Sequence, residues 1–371
     1  MTAAAMDSSS SPSPSPYSKE LEIACLTVQK AALLTKKLLK EVDKGSIDKS
    51  DASPVTIADF AAQALIIGAV HGMFPQDEFV GEEDSKALRQ DPELLQRAWN
   101  LVSSTRLDDD ECEALLHAPH SKEEMLELID LGAQGRCDGT SRRTWTLDPV
   151  DGTATFMRGE QYAVSLTLLE DGQQKVGVLG CPNLSLEKSG GVVKEDVVDA
   201  QGYGYMIFAV KDYVQGVWMR KIGTGPLLSP WKLKDVSQVA DPREIHFVDC
   251  SAANSSNFEL HRQIAARIGA PSSPDAFTNL WSAQMRYVAI AAGGCNAMIK
   301  VPRKPQYRSN IWDHAGGMLI AEKAGCKVTD LEGNPVDCSL GRRLEGCYGM
   351  VVAPPSIHPF LVDAVRQTLT A

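Results

Sequence analysis

A short run of strand-forming residues that ends in two aspartates constrains this chain more than any other feature. The run from Thr144 to Leu147 favours a buried β-strand, and Pro149 is expected to end it because proline cannot donate a ladder hydrogen bond. Asp148 and Asp151 would then lie in the turn that leaves the strand. Carboxylates at this spacing can face one point, where they either hold a hard cation or close an ordinary Asx turn.

The residues beside the two aspartates suit phosphate chemistry. The carbonyl of Val150 could supply a third oxygen ligand to Mg²⁺ or Mn²⁺, which both prefer oxygen. Gly152 and Thr153 offer backbone N–H groups and a hydroxyl where the chain turns away, and such groups bind phosphate. The stretch predicts a metal site beside a phosphate site, with the plain Asx turn as the alternative.

Length, charge and cysteine content narrow the class of protein. The 371 residues, of which 43% are hydrophobic, can form two domains of ordinary size or one large layered α/β unit. The formal net charge of −11 argues against a nucleic-acid-binding surface, so a phosphorylated substrate needs local cations or metal ions. The nine cysteines include no C-x-x-C pair and predict reduced thiols in the cytoplasm. No apolar run approaches the roughly 20 residues that cross a bilayer, so we expect a soluble protein.

Composition and periodicity divide the chain into three regions. Residues 1–17 are rich in Ala, Ser and Pro and predict a disordered tail. This tail contains no Arg or Lys, so an organelle address is the lesser alternative to a cytoplasmic location. Residues 18–185 predict an α+β domain that carries most of the candidate ligands. Residues 186–371 predict an α/β domain in which strands and helices alternate.

Local signals place the individual elements. Ser121 and Glu124 form a capping box for a helix that Gly132 is expected to end. Asp171-Gly172 predicts a hairpin between two β-rich runs. Apolar periodicity and these signals predict helices at 18–45, 57–73, 258–268, 283–292, 312–324 and from residue 357, and strands at 77–80, 162–169, 176–179, 244–249, 297–301, 326–330 and 348–352.

Five acidic residues each lie in a loop, at a strand end or at the start of a helix: Asp51, Glu82, Asp148, Asp151 and Asp313. Carboxylates that converge repel one another unless cations lie between them, so their convergence implies bound metal. Asp51 could accept the proton of a metal-bound water that Thr153 orients. Asp313 has an alternative role as a first-turn acid that faces its helix dipole. His117 and His120 are spaced for a metal pair but lack a set of partner ligands.

Four motifs, in this order, resemble those of the lithium-sensitive, magnesium-dependent phosphatases of the inositol monophosphatase superfamily. They are Asp51-Ala-Ser-Pro-Val-Thr-Ile-Ala-Asp59, Gly81-Glu-Glu-Asp84, Leu147-Asp-Pro-Val-Asp-Gly-Thr153 and Trp312-Asp-His-Ala-Gly-Gly317. The form of the first motif, with Arg158-Gly-Glu-Gln-Tyr-Ala-Val164 and Cys181-Pro-Asn183, most resembles the 3′(2′),5′-bisphosphate nucleotidase branch. The resemblance runs from the first helix to the end of the chain, except for much of residues 86–143.

The resemblance implies an α/β fold with αβαβα layers. It also implies removal of the 3′-phosphate from adenosine 3′,5′-bisphosphate and from 3′-phosphoadenosine 5′-phosphosulfate, within sulfur metabolism. Two or three Mg²⁺ ions per site and inhibition by Li⁺ are expected on the same ground, in a monomer that acts on a small nucleotide and contacts neither nucleic acid nor membrane. By motif position, Asp51 and Thr153 activate water, and the metal ligands are Glu82, Asp148, the Val150 carbonyl, Asp151 and Asp313.

The nucleotide contacts that the resemblance implies map onto the C-terminal domain, at Asn254, Ser282, Arg286 and Lys300. Relatives carry His where this chain has Asn254 and Arg where it has Lys300, and lysine lacks the bidentate fork of arginine. Relatives also often have Lys-Gly where this chain has Ala154-Thr155. Recognition of adenine or phosphate is therefore where we expect this chain to differ.

These pocket residues have structural alternatives. Arg286 and Lys300 could be solvated charges on surface elements. Tyr287 and Tyr307 are expected to pack within the fold rather than to act as base-stacking platforms.

Two other functions compete with nucleotide hydrolysis. A phosphatase of inositol 1,4-bisphosphate or inositol monophosphate would use the same metal site with a different pocket. A non-catalytic nucleotide sensor would keep the pocket and lose turnover, but a pure binder has no need of Asp51 beside a metal-bound water.

Replacement of Asp51 tests its predicted role as the base. The D51N variant should bind nucleotide nearly unchanged and lose turnover, because asparagine keeps the shape of the side chain but cannot accept the proton. Calorimetry measures the binding, and phosphate release measures the turnover. A substantial residual rate would remove Asp51 from this role.

Overall fold

The computed structural model describes residues 16–43, 53–212, 216–253 and 255–370. Its helices are α1 (Ser18–Asp43), α2 (Ser53–Met73), α3 (Lys86–Gln90), α4 (Pro92–Ser104), α5 (Asp110–Ala114), α6 (Lys122–Gln134), α7 (Thr153–Arg158), α8 (Phe258–Arg267), α9 (Ala283–Ala291), α10 (Ala315–Lys323) and α11 (His358–Leu369). Its strands are β1 (Glu78–Gly81), β2 (Arg143–Asp151), β3 (Ala163–Glu170), β4 (Gln173–Cys181), β5 (Tyr205–Val210), β6 (Trp218–Lys221), β7 (Trp231–Lys232), β8 (Val248–Asp249), β9 (Thr278–Asn279), β10 (Met298–Lys300), β11 (Lys327–Thr329) and β12 (Met350–Ala353).

A seven-stranded sheet forms the larger of the two main sheets. Its strands follow chain order from β1 to β7, with β1 and β2 parallel and each later pair antiparallel. Strand β5 shows how the sheet is buried, because Met206 and Phe208 face one apolar cluster while Ile207 and Ala209 face another. A sheet that is apolar on both faces needs a helical layer on each.

The helices supply those layers. Helices α1 and α2 cover one face of the large sheet, and α9 and α10 cover the other. Beyond α9 and α10 lies an antiparallel sheet in the order β10-β12-β11, with α8 and α11 on its far side. A third apolar cluster fills that last interface. The predicted αβαβα arrangement of an α/β fold is confirmed.

The hairpin between β3 and β4 is also confirmed. Asp171 and Gly172 connect the two strands with φ angles of 50° and 72°, and Glu170 pairs directly with Gln173. Positive φ at both central residues is what a type I′ turn requires.

Several predicted element ends are wrong. Helix α6 does not end at Gly132, because this glycine lies inside the helix, where a Cβ would approach Gln63 and Ile67 at 2.9 Å. The strand predicted at 244–249 is reduced to β8, since a 3₁₀ turn at Pro242–Glu244 occupies its start. Helix α10 likewise begins at Ala315, later than predicted.

The structure tests some of the predicted region boundaries and not others. Tyr17, placed in the tail by its composition, donates to Glu170 Oε2 at 2.5 Å and packs against the core, so it belongs to the fold. Residues 1–15 of the predicted tail lie outside the described residues. The division at residue 185 stays a prediction; it falls between β4 and β5, which are paired strands of one sheet.

Helix α2 is apolar around most of its circumference. Within the described residues it is the one helix long and apolar enough to cross a membrane by length and composition, so the expectation that no such run exists is wrong. Most of this helix is buried against α1, α6 and β2. Its apolar character is that of a core helix that is covered on several sides.

Gly135 directly follows α6, where the end of this helix lies close to β1. A Cβ at this position would overlap the Phe79 carbonyl, so G135A should lower the free energy of unfolding by about 1–3 kcal/mol, measured by urea denaturation. At Gly225 a Cβ would lie 3.5 Å from Asp109 Cβ, an ordinary contact, and G225A should change stability by less than about 0.5 kcal/mol. Equal losses in the two variants would contradict the packing argument.

Candidate active site

The parallel pairing of β1 and β2 brings two predicted acidic residues to one sheet edge. Gly81 pairs with Leu147, so Glu82 and Asp148 follow at the same level of neighbouring strands. The carboxyl ends of parallel strands meet at one edge of a sheet.

Strand β2 does not end before the aspartates, as predicted, but runs on to Asp151. Pro149 and Val150 together lie opposite one residue of β3, and such a bulge tolerates a proline within a strand. The Val150 N–H donates to Asp148 Oδ1 at 3.0 Å, so the Asx turn considered as an alternative is present. A carboxylate has about four lone-pair sites, so this one hydrogen bond does not prevent Asp148 from also binding a cation.

Asp151 lies at the N-terminus of α9. Its Oδ2 accepts hydrogen bonds from Ser282 Oγ at 2.5 Å and from the Gln284 N–H at 2.6 Å, and its Oδ1 accepts from the Ala283 N–H at 3.3 Å. Backbone donors and the positive end of a helix dipole favour an ionised carboxylate. Asp151 therefore ties the large sheet to the second helical layer.

Asp313 reaches the site from the turn that precedes α10, not from the first turn of the helix. Two glycines of α10 let this helix lie close to its neighbours. A Cβ at Gly316 would lie 2.7 Å from Thr167 Oγ1 of β3, and a Cβ at Gly317 would overlap the Tyr287 ring of α9. The two glycines that follow Asp313 thus allow close packing of α10, and this packing brings Asp313 to the site.

One carboxylate oxygen from each of Asp148, Asp151 and Asp313 lies within 4.8 Å of the other two. Across the described ranges, no other trio of His, Cys, Asp or Glu side chains is placed to hold a metal ion. Burial raises the pKa of Asp148 well above its usual range, and burial with the charge of Asp151 raises the pKa of Asp313 to about 7. Crowded oxygens of this kind fit a hard divalent cation, which would offset their repulsion.

Glu82 faces the same cavity from the end of β1 but is outside this trio. It is open to the cavity, while the surrounding protein and the charges of Glu83 and Asp151 raise its pKa to about 7. Arg342 holds this edge in place. It donates to the Gly81 carbonyl at 2.5 Å, and its guanidinium lies 5.0 Å from the centre of the Trp312 ring.

A cavity of about 310 Å³ adjoins the carboxylates. Gly152, with a φ of 104°, makes the turn into α7, so that Thr153 begins this short helix at the cavity wall. Of the predicted site residues that the structure describes, those lining the cavity are Glu82, Asp148, Val150, Asp151, Gly152, Thr153, Arg286, Lys300 and Asp313.

Two of these residues are buried cations. Arg286 and Lys300 are each 4% exposed, so the alternative that they are solvated surface charges is wrong. Burial and the charge of Arg286 lower the pKa of Lys300 to about 8. Arg286 uses Nε and Nη2 on the carbonyls of Leu280 and Trp281, at 3.0 and 2.9 Å.

A hydrogen-bonded relay orients Lys300. Burial and the two cations lower the pKa of His314 well below its usual range, so the neutral ring accepts from Lys300 Nζ at Nε2, over 2.9 Å. His314 Nδ1 then donates to the Tyr287 hydroxyl at 2.9 Å, and this hydroxyl donates to Met350 Sδ at 3.3 Å. His314 is a satisfied neighbour, and Tyr287 packs in the core as expected.

One predicted site residue that the structure describes, Ser282, does not line the cavity. Ser282 is 1% exposed, and its hydroxyl donates to Asp151 and accepts from the Met285 N–H at 3.0 Å. It positions a ligand, and its direct contact with nucleotide stays a prediction. Asp51 and Asn254 lie outside the described residues.

The two histidines considered as a metal pair have other partners. His117 Nε2 lies 2.8 Å from Glu124 Oε1, and the His120 N–H donates to Glu124 Oε2 at 2.6 Å. They belong to the cap of α6.

Sequence reasoning missed two residues near the site. Asp59 is buried in α2, where burial and the charges of Glu83 and Glu82 raise its pKa well above its usual range. In the sequence it is the last residue of the first motif and the one acid within helix α2. Trp281 lines the cavity and precedes the predicted Ser282, but a single tryptophan in a loop carries no pattern.

Comparison with known proteins identifies the family and agrees with the fold. The model of the inositol monophosphatase family matches residues 17–369. This chain belongs to the inositol monophosphatase family. It is a phosphatase of a metal-dependent family, and its buried carboxylates fit that dependence.

Relatives within the family point to one branch. The chain is 39% identical over 357 residues to a 3′(2′),5′-bisphosphate nucleotidase of Emericella nidulans. The match covers 95% of this chain and 99% of the relative. It is 33% identical to the Schizosaccharomyces pombe protein of that name, over 94% of this chain and 95% of the relative. An inositol monophosphatase from Anabaena (Nostoc) sp. PCC 7120 shares the fold, with a TM-score of 0.56, 16% identity and coverage of 95% and 97%. The resemblance drawn from the four motifs is confirmed.

Comparison of two N-cap residues, Ser282 and Ser121, can distinguish the effect of helix capping from the effect of positioning a metal ligand. Both hydroxyls accept from a backbone N–H in the first turn of their helix, so S282A and S121A should each lose about 1 kcal/mol of stability. Only Ser282 also donates to Asp151. S282A alone should therefore raise the metal concentration that gives half-maximal phosphate release. An identical metal dependence in both variants would contradict the positioning role.

Proposed function

We propose that this chain is a Mg²⁺-dependent phosphatase that removes the 3′-phosphate of adenosine 3′,5′-bisphosphate, to give AMP, and of 3′-phosphoadenosine 5′-phosphosulfate. The observation that carries the proposal is a single cavity that joins three carboxylates to two buried cations. The carboxylates suit metal ions at the phosphate that is cleaved, and the cations suit a second anionic group on the same substrate. A nucleoside bisphosphate carries both groups, and the names of the fungal relatives agree with it.

The residues of the site divide the reaction among them. Divalent cations, when bound, would neutralise phosphate charge and lower the pKa of a water molecule. Asp148, Asp151 and Asp313 would hold them, with Glu82 and the Val150 carbonyl as further ligands. Thr153 would orient the water and Asp51 would take its proton. Li⁺ would inhibit by competing at one Mg²⁺ position.

Lys300 stands where the resemblance implies an arginine in related proteins. Its Nζ donates one of three N–H groups to His314, so at most two N–H groups of this ammonium remain for the ligand. Arginine would offer a planar fork that binds phosphate through two parallel bonds. We infer that Lys300 still neutralises a substrate phosphate but binds it less specifically.

We also propose that the protein is a monomer located in the cytoplasm. All nine cysteines are free thiols and eight of them are buried, as is typical of proteins in a reducing compartment.

Phosphate release from three substrates tests this function. Adenosine 3′,5′-bisphosphate, inositol 1-phosphate and inositol 1,4-bisphosphate are compared while Mg²⁺ is titrated and Li⁺ is added. We expect strong preference for the nucleotide, no rate without divalent metal, and inhibition by Li⁺. Preference for an inositol phosphate would keep the metal site and contradict the substrate, whereas nucleotide binding without turnover would indicate a sensor.

A further inference from the structure

Trp281 is an aromatic residue at the cavity wall to which the proposed reaction gives no role. Its side chain is 36% exposed, although large apolar side chains elsewhere in the fold are mostly buried. It lines the same cavity as the carboxylate trio and the two cations. A large ring kept partly open in a ligand cavity offers a flat apolar surface to whatever binds there.

The backbone of Trp281 is held from both sides by charged side chains. Its N–H donates to Glu195 Oε2 at 2.7 Å, and its carbonyl accepts from Arg286 Nη2 at 2.9 Å. The next residue, Ser282, is bonded to the ligand Asp151. The tryptophan peptide therefore has a set position relative to the carboxylates, and a ring on an ordered backbone loses less entropy when it contacts a ligand.

The other aromatic residue in the cavity has a partner already. The ring centre of Tyr307 lies 5.6 Å from Lys300 Nζ, so one face of Tyr307 meets a cation of the protein itself. No ring-stacking or cation–π contact involves Trp281 among the residues that the structure describes. Trp281 is thus the aromatic residue of this cavity whose ring has no such contact within the described residues.

We propose that Trp281 stacks on the purine base of the substrate and that this contact selects nucleotides over inositol phosphates. The inference rests on the proposed function and deepens it by naming the residue that determines the substrate class. A purine has a planar π face on both sides, whereas inositol is a puckered ring covered with hydroxyl groups. Stacking on the indole therefore contributes to binding of the nucleotide alone, while both substrates share the carboxylates and the cations.

The ratio of kcat/KM for adenosine 3′,5′-bisphosphate to kcat/KM for inositol 1-phosphate measures this selection. W281A should lower the ratio by about 5- to 150-fold, the fold-change that corresponds to about 1–3 kcal/mol for one stacked base, mainly through KM for the nucleotide. W281F should keep most of the ratio because it retains a ring. F360A is the control, since Phe360 is 68% exposed on α11 and does not line this cavity.

The outcomes separate this inference from the function on which it rests. A W281A enzyme that hydrolyses the nucleotide with a ratio within about twofold of wild type overturns the inference and leaves the proposed function standing. If wild type does not hydrolyse the nucleotide, the proposed function fails, and AMP binding by calorimetry then decides about Trp281. Binding at least about fivefold weaker in W281A supports the inference, whereas equal binding, or none in wild type, overturns it.

Discussion

Repulsion among converging carboxylates is the constraint on which the rest of this structure depends. The trio of Asp148, Asp151 and Asp313 comes from two different layers, because β2 supplies two acids and the turn before α10 supplies the third. Such a cluster is tolerated only where donors and cations surround it. The protein provides the N-terminus of α9 and the charges of Arg286 and Lys300, and it leaves a cavity in which divalent ions would complete the balance.

The same constraint explains why the site lies between layers rather than on one element. Parallel pairing of β1 with β2 delivers acids to a sheet edge, and close packing of α10 on α9 and β3 brings the last acid to them. The distance between the two sets depends on the apolar cluster that fills this interface. Packing and metal chemistry are therefore coupled, since a shift of α10 by a fraction of an ångström moves a ligand of the site.

Much of the fold follows from local signals, and its errors have local causes. The Asp171-Gly172 turn and the long helix α1 were predictable because they rest on φ preferences and apolar periodicity, and α2 was predictable as a long run of mostly apolar residues. Pro149 failed as a strand end because a bulge accommodates it, and Gly132 failed as a helix end because close packing against α2 favours a glycine there. Whether a proline or a glycine ends a strand or a helix therefore depends on its neighbours in space.

The amino-acid sequence by itself determined which residue types carry the chemistry, because acids, glycines and cations within a motif are read without knowledge of their contacts. It identified the family through four short strings. Only the tertiary structure decided that Ser282 holds Asp151 across 131 residues of chain, that Arg286 and Lys300 are buried, and that Trp281 faces the cavity. These facts are distances between remote segments, and such distances are set by the packing of layers rather than by any local pattern.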